Sequence, residues 1–237
     1  MPSHTSPIVS LIEGYKTLVI NEAKAAASRA TRLKGQLPTF LDGLRSASGK
    51  QKERERKEAP KFNLIRLLKL QEVEKYHSEI LTDLLNPTGT HSQGIYFLER
   101  FLNRIGYGRL SAKLGPEANL EVRREFWIND SSRIDLVIRC LPWFEIDIEN
   151  KIRAAEGTAQ LQRYRKNLDT LEKERVIEEG LLLYLTIDPE DKSSGHEHIH
   201  ISYRDDIRRW LKECLEVSLP AHVRYTIEQY VDSIQDL

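Results

Sequence analysis

The chain is short of nearly everything that would announce a special environment. Its only cysteines, Cys140 and Cys214, lie far apart with no metal-ligand spacing, so neither a disulfide framework nor a zinc knuckle is expected. No run of about eighteen apolar residues occurs, which speaks against a helical membrane span. The N-terminal stretch has no basic start, apolar run and small-residue cleavage site of the kind an export signal carries. A reducing cytoplasm is the expected compartment, with no membrane partner. An excess of either charge is missing too, since Lys plus Arg and Asp plus Glu are 36 each. A nucleic-acid partner would therefore have to be held by a local basic patch or through bound metal ions, not by a global field. Glycine and proline are sparse, at 12 and 9, beside 40% hydrophobic and 30% charged residues, which is the composition of an ordinary folded domain.

What is present reads as one core with an extension. Residues 1–58 are expected to be a helical N-terminal extension and residues 59–237 a single domain. The pattern from Ile8 to about Arg32 is helical, Pro38 to Leu44 suggests a short second helix starting at its proline, and Ser46 to Glu58 is so charged that it reads as a solvated helix or a linker. Periodicity predicts a long amphipathic helix from Phe62 to Leu85, with Leu64, Leu67, Leu68, Val73, Ile80, Leu81, Leu84 and Leu85 on its apolar face. A second helix runs from Gln93 to Arg104. After Pro116 the period drops to two, and strands are predicted at Leu120–Ile128, Arg133–Cys140 and Trp143–Ile152. A helix from Ala154 to Glu179, a buried strand from Leu181 to Ile187, a strand at His198–Tyr203 and two closing helices complete the order. Helix, three strands, helix, strand makes an α/β unit in which the meander and the crossover strand share one sheet.

The chemistry concentrates in the predicted hairpin. In Phe144-Glu145-Ile146-Asp147-Ile148-Glu149-Asn150-Lys151 apolar and charged residues alternate, so Glu145, Asp147, Glu149 and Lys151 share a face. A hairpin folded symmetrically about Pro142 sets Asp135 opposite Glu149, Arg139 opposite Glu145 and Arg133 opposite Lys151. Opposed side chains have Cβ atoms about 4.5–5.5 Å apart, and like charges so placed repel. A divalent cation between Asp135 and Glu149 would turn one repulsion into a binding site. Oxygen ligands with water in the remaining positions suit Mg²⁺, or Mn²⁺, better than zinc, and the backbone carbonyl of Asn150 could contribute. Lys151, on the same face, could orient or help deprotonate a water and offset charge on a phosphate. The other reading of the face is a solvated sheet surface with salt bridges.

Asp135 in Arg-Ile-Asp-Leu-Val-Ile, followed by Ile148-Glu149-Asn150-Lys151-Ile152, resembles the signature of the PD-(D/E)XK nucleases, with Ile134 where the name has proline. Gln160-Leu-Gln-Arg-Tyr164 resembles the Gln-x-x-x-Tyr motif of the RecB-like and lambda-exonuclease-like branch, and Glu74-x-x-His77-Ser78 resembles the opening of a bacterial subfamily. The resemblance implies a restriction-endonuclease-like core of order α-β-β-β-α-β, a mixed central sheet flanked by helices, and metal-dependent hydrolysis of phosphodiester bonds, with DNA expected before RNA. It also implies that Glu74, or failing it Glu79, reaches the metal site, and that Gln160 and Tyr164 steady the lysine or the substrate. The alternative is a non-catalytic module that keeps this fold for binding in a defence or mobile-element system.

Around the site Arg123, Arg124, Arg133, Arg153, Arg163, Arg165 and Lys166 could hold phosphates, with Trp127 and Tyr164 nearby for stacking, or could be ordinary surface charge. His77 is a candidate substrate contact or a core histidine. His196, His198 and His200 alternate and could ligate zinc or copper, or lie on a surface loop. The N-terminal helices could pair two copies of the chain.

Overall fold

The computed structural model describes residues 7–59, 62–115, 117–129, 132–152, 158–190 and 197–237. It divides into two compact units, Met1–Phe62 and Asn63–Leu237. Among the described residues the first holds one helix, α1 (Pro7–Glu58). It runs through Pro38 where a new helix was expected. Proline at that point removes one backbone donor, and the turns on either side keep theirs. The charged stretch is helix and not linker, because its charges sit at complementary spacing: Gln51 donates to Glu55 at 3.1 Å, and Arg54–Glu58 and Lys57–Glu53 pair at 2.8 and 3.0 Å. Pairs four residues apart on a helix support it in this way.

The second unit is built on a five-stranded sheet of order β1-β2-β3-β4-β5. The strands are β1 (Asn119–Asn129), β2 (Ser132–Leu141), β3 (Phe144–Asn150), β4 (Glu179–Thr186) and β5 (Ile199–Ser202). The first three are antiparallel neighbours, and β3-β4 and β4-β5 are parallel. One sheet therefore holds both the meander and the crossover strands, the mixed α/β architecture expected of a restriction-endonuclease-like core.

Helices cover both faces. On one face, α3 (Glu74–Leu85), α4 (Tyr96–Arg104), α6 (Arg208–Cys214) and α7 (Ala221–Ile234) enclose the larger core with Leu136, Ile138, Phe144, Ile146, Ile148, Leu183 and Leu185. On the other, α5 (Thr158–Lys173) lays Leu161, Tyr164 and Leu168 against Val137, Leu182 and Tyr184. Gly180 lets α5 come close: a Cβ there would lie 3.0 Å from the Leu168 side chain. Its backbone N–H also donates to Glu172 at 2.6 Å.

The long helix predicted over 62–85 is broken. It becomes α2 (Leu64–Leu67), a 3₁₀ turn (Leu70–Glu72) and then α3, with Lys69 at φ 54° between the first two. A left-handed residue cannot continue a right-handed helix. Leu64, Leu67, Leu68 and Val73, expected on the apolar face, are accordingly exposed. The break has a use, since it frees Gln71 O to bond His77 Nε2 at 2.9 Å, while His77 Nδ1 meets the Tyr230 hydroxyl at 2.8 Å.

His77 is thus a core histidine, 1% exposed with both ring nitrogens bonded inside the protein, and not a substrate contact. Burial pushes its pKa down to about 4, against the bond to Gln71, which raises it. Between that value and about 6.5 the unfolded chain binds a proton that the folded one refuses, so stability falls as the pH drops through this window. Wild type is expected to lose about 2 kcal/mol more than His77→Phe between pH 7.5 and 5 in urea unfolding. Parallel losses in the two proteins would refute a neutral buried imidazole.

Candidate active site

The β2–β3 register is the one that a turn about Pro142 requires: Leu136 pairs with Ile148, Val137 with Asp147, and Arg139 with Glu145. Ladder pairing stops at Leu136 and Ile148, one step short of Asp135 and Glu149. There the strands are joined through a side chain, as the Asn150 N–H donates to Asp135 Oδ2 at 2.9 Å. β3 meanwhile leans on β4, and the Lys151 N–H donates to Leu185 O at 2.8 Å. Asp135 is thereby held at the end of β3, beside Glu149 and Lys151.

The charged face of β3 is not solvated. Glu145, Asp147 and Glu149 are all buried, because α5 closes over them. Deep under the helix Glu145 is ion-paired with Arg139. Asp147 has no hydrogen-bond partner on either oxygen, and burial raises its pKa well above the usual carboxylate range. The adjacent Glu145 charge adds to that shift, while Arg139 and Arg165 oppose it.

At the outer end of this row Lys151 Nζ lies 2.6 Å from Glu149 Oε1 and 3.9 Å from Glu74 Oε2. The close contact with Glu149 is an ion pair, and the Glu149 carboxylate is 1% exposed. Burial pushes Glu149 up to about 7; the neighbouring Asp135 charge adds to the rise and Lys151 restrains it. For Lys151 burial disfavours the charged form, but Glu149, Asp135 and Glu74 together outweigh it and raise the pKa.

Asn150 is the knot that ties this corner. Its side chain points the other way from Glu149, donating to Glu74 O at 3.2 Å and Ser78 Oγ at 3.0 Å and accepting from the Tyr203 hydroxyl at 2.9 Å. β3 is thus pinned to α3 from behind, so Glu74 stands next to Lys151. Sequence reasoning quoted Ser78 only as the end of the Glu74-x-x-His77-Ser78 pattern, without a role, and missed Tyr203, which sits in no pattern that a hydrogen-bond role would mark.

On α5 the two members of the Gln-x-x-x-Tyr spacing meet: Gln160 Nε2 donates to the Tyr164 hydroxyl at 2.7 Å, and that hydroxyl donates to Arg133 O. Tyr164 is also part of the apolar stripe with Leu161 and Leu168, so it packs and positions at once. Burial, and then the Glu149 charge, raise its pKa, keeping the hydroxyl protonated.

The basic candidates are more scattered. Arg163 donates to Ser132 Oγ at 3.1 Å. Arg133 pairs with Glu125 at 3.5 Å and lies 5.5 Å from the exposed Trp127 ring; the β2–β3 ladder ends at Leu136 and Ile148, short of the expected opposition of Arg133 to Lys151. Arg124 pairs with Glu79 at 3.3 Å, which draws Glu79 toward β1. Arg153 and His196 lie outside the described residues. His200 bonds Thr186 at 2.8 Å and His198 meets the Tyr184 ring edge at 5.8 Å. Among the described residues no group of three or more His, Cys, Asp or Glu side chains is gathered to hold a metal ion. The histidine row therefore forms no such site there, and Glu74 does not join Asp135 and Glu149 in a three-acid cage.

Two acids from adjacent strands, a lysine two residues past the second acid, and a Gln–Tyr pair on the next helix form one constellation. The family model of the PD-(D/E)XK nuclease superfamily matches residues 62–231. The chain belongs to the PD-(D/E)XK nuclease superfamily. The match covers the whole sheet and every candidate residue named above except those in α1, and it makes a nuclease-type function the family expectation. No curated protein and no solved structure matches the chain.

Proposed function

We propose that this member of the superfamily is an active, Mg²⁺-dependent deoxyribonuclease, with Mn²⁺ as an alternative ion. The observation that carries the reading is Glu149: a buried carboxylate whose charge is disfavoured by burial and by the neighbouring Asp135, with the Lys151 ammonium 2.6 Å from one oxygen. Two carboxylates held side by side out of water repel, and a single ammonium does not neutralise both, which a divalent cation between them would do. The donor set fits a hard cation, being oxygen-only and limited to two carboxylates, since Mg²⁺ keeps several of its waters. Asp135 and Glu149 would hold it, with the Asn150 carbonyl within the same turn of chain and Glu74 acting through Lys151. Once bound, the ion supplies Lewis acidity toward the phosphate and a water of lowered pKa.

The chain's own residues do the rest. Lys151, charged and flanked by Glu149 and Glu74, orients the attacking water and offsets charge growing on the phosphate. Its raised pKa makes it a positioned cation at neutral pH, not the base. Gln160 and Tyr164 fix the start of β2, from which Asp135 projects, through the Arg133 carbonyl. Arg133, Arg163 and the Trp127 ring, at the same end of the hairpin, are the surface on which a nucleic-acid backbone would lie.

The test is direct. Purified protein is incubated with linear, circular and single-stranded DNA and with RNA, in Mg²⁺ or in chelator. Cleavage of DNA in Mg²⁺ that chelator abolishes is the expected result. No cleavage of any substrate, with nucleic acid nonetheless bound, would replace the catalytic reading with that of a binding module.

A further inference from the structure

The first unit carries a long apolar seam that is exposed among the described residues. Along α1 the positions Val9, Lys16, Ala23, Ala30, Leu37 and Leu44 recur every seventh residue, and Ile12, Val19, Ala26, Leu33, Phe40 and Ala47 recur three residues later. All but Lys16 are apolar, and all are exposed; Ile12, Leu33 and Phe40 are 48%, 66% and 62% exposed. The outermost positions opposite this seam, Gly14, Asn21, Ser28, Gly35, Asp42 and Gly49, are small or polar. Pro38 lies off the seam. Two interleaved seven-residue repeats of this kind are the packing surface of a coiled coil, and its partner must be another helix.

The charges beside the seam say which helix. The positions next to the core hold Glu13 and Lys34 on one flank, and Glu22 and Arg29 on the other. In a parallel pair the opposite flanks meet five residues apart, which sets Arg29 against the partner's Lys34 twice over. Reversing one helix brings each flank against its own kind. Val9 then layers on the partner's Phe40, Ile12 on the partner's Leu37, Lys16 on the partner's Leu33, Val19 on the partner's Ala30 and Ala23 on the partner's Ala26. In that register Glu22 faces the partner's Arg29 and Glu13 faces the partner's Lys34, each pair occurring twice. Sliding one repeat in either direction puts Glu22 on the partner's Glu22, or Arg29 on the partner's Arg29. The central alanines let the two backbones approach closely where the helices meet.

We propose that residues 9–40 of α1 form an antiparallel two-stranded coiled coil with the same segment of a second copy of this chain. The seam and its matched flanks, not the nuclease site, carry this proposal, and it stands or falls independently of the catalytic reading. Each particle then holds two nuclease units. The two Glu58 ends lie at opposite ends of the rod, about 100 Å apart at 1.5 Å rise per residue.

The full-length chain is measured by light scattering and sedimentation. Twice the monomer mass is expected, falling to the monomer mass in Ala26→Glu; a monomer at all concentrations would overturn the proposal. Charge swaps read the orientation. Glu22→Lys and Arg29→Glu should each raise the dissociation constant by about tenfold, and the double variant should restore it. If Arg29→Glu alone tightens the dimer, the helices are parallel and the proposal fails. As a second readout that does not depend on affinity, tagged Val9→Cys chains are mixed with Phe40→Cys chains under oxidation. Mixed cross-links support the register, and Val9→Cys chains linked only to each other overturn it.

Discussion

Lys151→Ala is expected to lower the rate of Mg²⁺-dependent DNA cleavage by about a thousandfold. Among the described residues the side chain is the cation that touches the candidate carboxylates, 2.6 Å from Glu149 and 3.9 Å from Glu74. Two effects follow from its removal. The developing charge on the attacked phosphate loses its neighbour, which affects the transition state alone and so appears in kcat. Glu149 also loses the interaction that restrains its rise to about 7, and a protonated Glu149 is a poorer ligand. The second effect can be separated from the first, because raising the pH re-ionises Glu149 but cannot replace the ammonium. Activity of the variant should therefore climb with pH more than that of the wild type, yet stay far below it at every pH. Lys151→Met, which keeps the buried stem, serves as the control for packing. A Lys151→Ala or Lys151→Met enzyme within threefold of the wild type at neutral pH would remove Lys151 from the mechanism.

Much of this corner is legible in the sequence, for a definite reason. A strand has a period of two, so once Leu141-Pro142 is recognised as the turn, the pairing of every residue in the hairpin follows, and the observed pairs of Leu136 with Ile148 and Arg139 with Glu145 are the expected ones. The same rule fails at burial. Alternating charged and apolar residues describe which face a side chain occupies, and say nothing about whether that face is covered. Glu145 and Asp147 are charged residues in a position that reads as solvent, and only the packing of α5 across the sheet shows that they are inside. Arg133 escapes the rule in another way. The β2–β3 ladder ends at Leu136 and Ile148, so period two no longer governs what Arg133 faces on the β3 side, and its guanidinium turns to Glu125 on β1 at 3.5 Å. Arg133 ends beside Trp127 and Glu125, not Lys151.

The long helix predicted over 62–85 fails for a similar reason. Apolar residues at helical spacing supply a face, but one left-handed residue, Lys69, outweighs them, and the neighbouring segment is fastened instead by long-range contacts. Asn63 caps α2 through Arg66 N at 3.1 Å and donates to Gln229 O at 2.7 Å. Those partners are more than 160 positions apart in sequence for the second bond, beyond the reach of any local pattern. Glu74 owes its place to this break: α3 starts there, and Asn150 grips the Glu74 carbonyl from the end of β3.

Asp135→Asn should separate the catalytic role of this residue from its structural one. The Asp135 carboxylate accepts from the Asn150 N–H at 2.9 Å, and the amide oxygen of asparagine can accept the same bond. The fold should therefore survive, and stability should be unchanged or slightly higher, since the Asp135 charge is one cause of the raised Glu149 pKa. Cation binding depends on the charge that has been lost, so Mg²⁺-dependent cleavage should fall by about three orders of magnitude. Calorimetric titration with Mn²⁺ should show no heat where the wild type shows saturable binding. Asp135→Ala lacks the acceptor as well, leaving a donor unpaired at a cost of about 1–3 kcal/mol, and should be equally inactive but less stable. If Asp135→Asn instead unfolds, or binds Mn²⁺ like the wild type, the residue is a strand clasp and not a metal ligand. The pair of variants thus sorts two roles that a single carboxylate performs through different atoms: one oxygen facing a backbone donor, and a negative charge facing Glu149 across the space a cation would fill.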